Sequence, residues 1–310
     1  MEAETRRRVL AAVLGSLLVL AALPPVGAAQ SRLRIVTTLP DLYAITKALV
    51  GDAATVDVVA RFGQNPHDME VRPSHMLMLR RADVLVRNGL EEDAWIDVIA
   101  LGSNNPKMVR GAVSVIEASP GIAVLKIPNG RVDRGLGDVH PLGSPHFTLD
   151  PGTMPIVTEN IARGLARIAP DQAKLVEANR ASFLTRVAAA MTRWTETLAP
   201  HRGAGVVSYH DSWPYFYRAF GLVEIGIIED RPGIPPSPQH IAALTRKMSA
   251  ERVRVILHES WSSREISDLV AQRTGATVLV VPQTPGAVKA TDDYIAHLDF
   301  LVDAIARALR

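Results

Sequence analysis

The chain has 310 residues, 47% hydrophobic and 21% charged, with a formal net charge of +2. That suits a globular protein with a substantial core and room for two domains. The near-neutral balance and scattered basic residues argue against a nucleic-acid partner. The lack of cysteine excludes disulfides, thiolate metal sites, cysteine nucleophiles and a lipidated N-terminal cysteine.

Residues 1–29 read as a secretory signal peptide. Arg6, Arg7 and Arg8 form a charged start, "VLAAVLGSLLVLAAL" (residues 9–23) an apolar run, and "PPVGAAQS" offers small residues for cleavage after Ala28 or Ala29. The run of about 15 residues falls short of the roughly 20 that span a bilayer, and Pro24-Pro25 end it. The expectation is export by the general or the twin-arginine route, cleavage, and an unlipidated life in a periplasm.

An N-terminal α/β lobe is expected over residues 30–168. "LRIVTTL" (33–39) reads as a strand and "LYAITKALVG" (42–51) as a helix closed by Gly51; "TVDVVARFG" (55–63) is a second strand. "SHMLMLRRA" predicts a short helix, "DVLVRNG" a third strand, and a helix follows around Trp95. Further strands are expected over 113–116 and 123–127. "MPIVTENIARGLARIAP" (154–170) then shows helical periodicity, and residues 171–200 a second, longer stretch after Pro170, with Asp171 as its cap. Residues 169–200 thus predict one long linker helix.

The C-terminal lobe, 201–310, resumes the alternation. "GVVSY", "LVEIGII", "VRVILHE" and "ATVLVV" are strands. "PYFYRAF" closes at Gly221, and "SPQHIAALTRKMS" has Ser237 as N-cap with Pro238 first in the helix. "SREISDLVAQRTG" and "TDDYIAHLDFLVDAIARAL" are the last two helices. The pattern predicts two Rossmann-like α/β lobes with mainly parallel sheets, joined by one long helix.

Ligands of such sheets bind beyond the carboxyl ends of the strands. Among nine histidines, His67 in "GQNPHDM" and His210 in "VVSYHDSW" follow strands directly, and Glu259 ends "VRVILHE". His146 lies in "VHPLGSPHFTLDP", the irregular loop before the first long helix. These four could converge between the lobes as a transition-metal shell, since neutral imidazole suits zinc and a carboxylate offsets part of its charge. The ordinary alternative is a set of polar strand-end residues with unrelated roles. His75 and His240 read as surface residues, His201 as a helix-end residue and His297 as part of the closing helix. His258 should face away from Glu259, and His140, farther from a strand end, reads as structural. Ser208, His210 and Asp211 cannot form a nucleophilic triad from neighbouring strand positions, and neither a G-x-S-x-G elbow nor a phosphate-binding glycine loop occurs.

"GQNPHDMEVRPSHMLMLRRADVLVRNGLEEDAWID" carries Pro66-His67, Glu70, Pro73, Ala82-Asp83, Asn88-Gly89, Glu92 and Trp95. With "GDVHPLGSPHFTLDP", and with "VVSYHDSWPYFYRAFGL" plus "PGIPPSPQHIAAL", it resembles the zinc/manganese (cluster A-I) class of substrate-binding proteins that serve ATP-binding-cassette importers. The resemblance runs in order over nearly all of the chain after the signal. It implies a metal site in the inter-lobe cleft with His67, His146 and His210 on ligand positions; Ser144 stands where the class has Asn before Pro-His. The late carboxylate of many members is missing from "TVLVVPQTPGA", so Glu259 is taken as fourth ligand, with Asp292, Gln283 or a water as alternatives. The histidine-rich loop of some zinc members is also missing from "NGRVDRGLGDV". Implied further are zinc, or else manganese, as transported ion, a membrane permease as partner, and a monomer without enzymatic activity. Rival functions are a zinc hydrolase using the same histidines, and a metal-chelate receptor or adhesin on the same fold.

Overall fold

A computed structural model describes residues 32–67, 69–130 and 140–310. The expected signal segment, residues 1–29, lies outside the described residues. Leu33–Arg310 forms one compact unit.

Its first part alternates β1 (Leu33–Thr37), α1 (Pro40–Val50), β2 (Ala54–Val58), α2 (Pro73–Arg80), β3 (Val84–Arg87), α3 (Ile96–Gly102) and β4 (Val115–Glu117). The strands form an all-parallel sheet in the order β2-β1-β3-β4. After α4 (Met154–Ile168) and α5 (Ala173–Leu198) come β5 (Gly205–Ser208), α6 (Pro214–Phe220), β6 (Val223–Ile227), α7 (Pro238–Ala250), β7 (Val255–Glu259), α8 (Glu265–Thr274), β8 (Thr277–Val281) and α9 (Tyr294–Ala308). The second sheet is also all parallel, in the order β6-β5-β7-β8. The two sheets therefore share one topology although the sequence shows no repeat.

The long connection is a 26-residue α-helix flanked by 3-10 turns at Pro170–Gln172 and Ala199–His201. Val176, Phe183, Val187, Ala190, Trp194 and Leu198 are its buried residues, a single stripe at three-, four- and seven-residue steps. The stripe belongs to a core that also takes in Leu42 and Ile45 of α1, Val157 and Ile161 of α4, and Leu298 and Leu301 of α9. Smaller cores lie on the outer faces of the two sheets, around Leu85 and Ile99 in one and around Ile256 and Val270 in the other. One apolar core shared by both lobes resists wide hinge opening, because separating them would expose that area to water.

Two local expectations differ from the structure. Residues 123–127 form no strand: the Leu125 N–H donates to the Tyr215 hydroxyl (3.2 Å), its carbonyl accepts from Ser144 N–H (2.8 Å), and Lys126 sits at φ 53°. A left-handed residue cannot continue a β-ladder. Asp171 is not the cap of α5, whose first turn is preceded by the 3-10 turn of Pro170–Gln172 and by Gln172, which makes no side-chain cap bond. The Ser237 cap stands: its side chain accepts from the His240 N–H at 3.1 Å, with Pro238 next. Among the described residues no helix is long and apolar enough to cross a membrane.

Candidate metal centre

The loops after β2 and β3, the loop before α4, and the loops after β5 and β7 all open on the face beyond the strands' carboxyl ends. His67 comes from the first of these. Its N–H donates to Asn65 Oδ1 (3.1 Å), and the Trp95 indole N–H donates to the carbonyl of Pro66 (3.1 Å), which pins the loop one residue before the imidazole. The His146 loop is pinned in the same way: the Asn88 side-chain amide donates to the Pro145 carbonyl at 3.1 Å. Asn88 and Trp95 thus clamp the prolines that precede the two histidines.

Between Asn88 and Trp95 the backbone is unusual. Gly89, Leu90 and Glu91 have φ of 84°, 54° and 64° in succession. A side chain on Gly89 would run into the Ser119 hydroxyl. Two non-glycine residues held left-handed are a local cost of the order of 1–3 kcal/mol each. The buried Asp93 carboxylate holds the turn by accepting from Asn88 N–H (2.6 Å), Thr38 Oγ1 (2.7 Å) and Arg87 Nη2 (3.3 Å). The result is that Glu92, 3% exposed, is delivered among the imidazoles.

Glu92 Oε2 lies 3.3 Å from His140 Nε2 and 3.9 Å from His67 Nε2, and Oε1 lies 3.7 Å from His146 Nδ1. His67, Glu92, His140 and His146 each offer a donor atom within 4.8 Å of the others. His210 joins from the C-terminal lobe, its ring centroid 5.4 Å from that of His67 and 6.3 Å from that of His146. Among the described residues, His67 Nε2, His140 Nε2, His146 Nε2 and Glu92 Oε2 are buried and make no hydrogen bond. Buried polar atoms without partners are uncommon, and here they are gathered in one place.

Burial, followed by the neighbouring histidines, holds His67 and His146 well below the ordinary imidazole pKa and His140 at about 4. Burial, with Asp93 and Asp41 nearby, raises the Glu92 carboxyl well above its usual value. Burial thus disfavours the charged form on both sides of these contacts, so they are not ordinary salt bridges. Neutral imidazole is the form that ligates a metal.

His210 is treated differently. Burial opposes its charge, but the hydrogen bond from Nδ1 to Glu229 Oε2 (2.6 Å) and the charges of Glu259 and Glu229 together raise its pKa. A carboxylate on Nδ1 fixes the ring with Nε2 free, which is how proteins orient a metal-binding histidine. Glu259 is fully buried and both of its oxygens are engaged, Oε2 by the His210 N–H (3.2 Å) and Oε1 by the Trp213 indole (2.8 Å). It does not belong to the compact group around Glu92. Of the other residues considered for the fourth position, Asp292 is exposed, while the Gln283 amide lies 2.9 Å from His146 Nδ1. The amide nitrogen faces Nδ1; the flipped amide, with its oxygen there, would accept from an Nδ1–H and leave His146 Nε2 open.

Sequence reasoning read His140 as structural, a neighbour of the site and not a ligand. The structure brings it in through a tight turn, with the Gly143 N–H donating to the His140 carbonyl (3.1 Å) and Gly143 at φ 94°. A Cβ on Gly143 would come 2.7 Å from the Leu125 carbonyl oxygen, so only glycine fits. The signal was present in "HPLG", a turn that folds His140 back beside His146. The remaining histidines lie elsewhere: His258 bonds Ser267 of α8 through Nδ1 (2.9 Å), on the face away from Glu259, and His297 is buried in α9. His75 and His240 are half-buried, His75 accepting from the Arg72 N–H (3.3 Å) and His240 bonding the Ile227 carbonyl (2.8 Å).

Two parallel α/β lobes on one long helix, with histidines from both facing each other, define a metal-site protein of the two-lobe substrate-binding class. The chain belongs to the family described as zinc-uptake complex component A, periplasmic, whose pattern matches residues 35–308. The zinc-binding lipoprotein AdcA of Streptococcus pneumoniae is 25% identical over 280 residues, covering 87% of this chain and 54% of AdcA. This chain thus spans about half the length of that relative. The high-affinity zinc uptake system protein ZnuA of Bacillus subtilis is 24% identical over 293 residues, 91% of this chain and 90% of its own. Among solved structures, FpvC of Pseudomonas aeruginosa in complex with Mn2+ superposes with a TM-score of 0.77 at 26% identity, covering 90% of this chain and 98% of FpvC. A crystal structure of ZnuA shares the fold, with a TM-score of 0.74 at 23% identity over 90% of this chain and 99% of that one.

Proposed function

We propose that this protein captures a divalent transition metal in a periplasm and delivers it to the permease of an ATP-binding-cassette importer, acting as a monomeric carrier and not as an enzyme. Zinc is the expected cargo and manganese the next, because nitrogen donors dominate the site. The observation that carries this reading is the convergence of buried, neutral imidazoles with unpartnered nitrogens in the cleft between two lobes. Its further support is the family and the names of its relatives.

In this reading His67, His146 and His210 ligate the ion. Glu259 and Glu229 serve His210, the first by holding its backbone and the second its ring, and Glu92 supplies the nearby carboxyl that balances charge when a cation enters. Binding releases protons and weakens as the histidines are protonated, so affinity falls with pH.

The test is metal analysis by mass spectrometry after chelator stripping and reloading. One zinc per chain is expected, and the double variant His67→Ala, His146→Ala should retain almost none. Tight stoichiometric zinc in the double variant would overturn the site; no metal on the wild-type protein would overturn the function.

A further inference from the structure

We infer that His140 is itself a metal ligand, the fourth imidazole beside His67, His146 and His210, and that it sets the preference for zinc over manganese. This rests on the metal-capture reading above and adds to it a residue and a specificity.

A shell of three imidazoles needs a fourth donor, and the C-terminal carboxylates near the cavity are engaged or exposed: Glu229 bonds His210 Nδ1, Asp211 pairs with Lys126, and Asp230 is exposed. Glu259 is held by the His210 N–H and the Trp213 indole. Asp292 is exposed on the surface. His140, by contrast, faces the site from the N-terminal side. Its ring centroid is 4.9 Å from that of His67 and 5.9 Å from that of His146, and its Nε2 is buried with no hydrogen-bond partner among the described residues. With His146 and His210 it lines a cavity of about 120 Å³.

The spacing suits shared coordination. Zinc–nitrogen bonds of about 2.0–2.1 Å place two ligand atoms of one tetrahedron about 3.3 Å apart. One donor atom each of His67, His140 and His146 already lies within 4.8 Å of the others, so a modest closing-in brings these three rings to ligand geometry. The buried His258 bonds Ser267 and Ser262 through its ring, whereas the Nε2 of His140 has no partner among the described residues and lies beside the unpartnered Nε2 atoms of His67 and His146. Adding a fourth nitrogen in place of a carboxylate moves the site toward zinc and away from manganese, which favours oxygen donors.

The experiment measures zinc and manganese affinities of the full chain by competition with a chromophoric chelator, and the visible spectrum of the cobalt(II)-loaded protein. The variants are His140→Ala and His140→Gln, with His67→Ala as reference, and thermal unfolding confirms that each folds. The expected loss of zinc affinity on removing His140 exceeds about 100-fold, beyond the roughly 10–100-fold that an outer partner of a ligand commands. The cobalt bands should change with it, and His140→Asp should shift the zinc-to-manganese ratio toward manganese. Wild-type zinc affinity and an unchanged cobalt spectrum in both His140 variants, with His67→Ala impaired, would overturn the inference while leaving the metal-capture reading intact. A wild-type chain that binds no metal would overturn both.

Discussion

On the N-terminal side of the cleft, His67, His140 and His146 stand close together with unpartnered Nε2 atoms, and burial keeps all three below the ordinary imidazole pKa. On the C-terminal side a single His210 is gripped through its ring by Glu229 and through its backbone by Glu259, and its pKa is raised. The first group leaves buried nitrogens without partners, whereas the second is satisfied by its own carboxylates. Under the proposed metal-capture role, the second would fix one ligand direction and the first would recover its unmet bonding on an ion.

The largest expected effect separates the halves in the metal-free protein. Glu259→Ala strands the His210 N–H and the Trp213 indole in a buried place, and should cost about 2–6 kcal/mol at roughly 1–3 kcal/mol per unpaired donor. His67→Ala removes an unpartnered group and should cost far less in the same denaturant titration. Equal losses from the two variants would break the contrast.

Next in size is Glu229→Gln. It keeps a hydrogen-bonding partner at His210 Nδ1 but removes the charge, so zinc affinity should fall roughly 10–100-fold, as for other outer partners of a metal ligand. The His210 pKa, followed by NMR, should fall with it, while the reporter signals of His67 and His146 stay in place.

A smaller effect appears in the pH dependence of stability of the metal-free chain. His140 has a folded pKa of about 4, below the unfolded value near 6.5. Between those values the unfolded chain binds the extra proton, so this residue's contribution is intact above about pH 6.5 and is lost as pH falls toward 4. The stability of wild type relative to His140→Gln should therefore decline over that window and level off below it. His210 has the opposite sign: its raised pKa stabilises most in acid, and that share is lost as pH rises through the folded value. An indifferent His140→Gln difference across the window would show that His140 is not held neutral by the fold.

The smallest effect is expected at Lys126, whose Nζ reaches across to Asp211 (2.6 Å) and Glu224 (2.7 Å) of the C-terminal lobe. These groups are partly exposed, so Lys126→Met should change stability by less than about 1 kcal/mol. A larger loss would mean that the ion pair, and not the shared apolar core, joins the lobes.

Much of this architecture was legible in the chain. Valine-rich runs alternating with periodic helices led to two parallel sheets, because strand and helix periods differ and sheets of that kind bury both faces. The apolar stripe of residues 173–198 was equally plain. Residues 123–127 were misread as a strand because β-propensity says nothing of the Tyr215 hydroxyl, which arrives from 90 residues away. At the site, strand-end position singled out His67 and His210, and the Pro-His loop with its resemblance singled out His146. That reading passed over His140 and treated Glu92 only as part of a motif, since a tight turn and three left-handed residues place them, and such backbone excursions leave little trace in hydrophobic pattern.

Sequence alone determined the fold class, the order of elements, the single long helix and the histidines that stand at strand ends, because each follows from local periodicity and short-range rules. Only the tertiary structure decided which carboxylate does what. Glu259, at the end of its strand, proved to be bonded to His210 and Trp213, and Glu92 was the one brought among the imidazoles. Hydrogen-bond partners of a buried group are set by segments distant in sequence, and burial in turn sets the charge that each group carries.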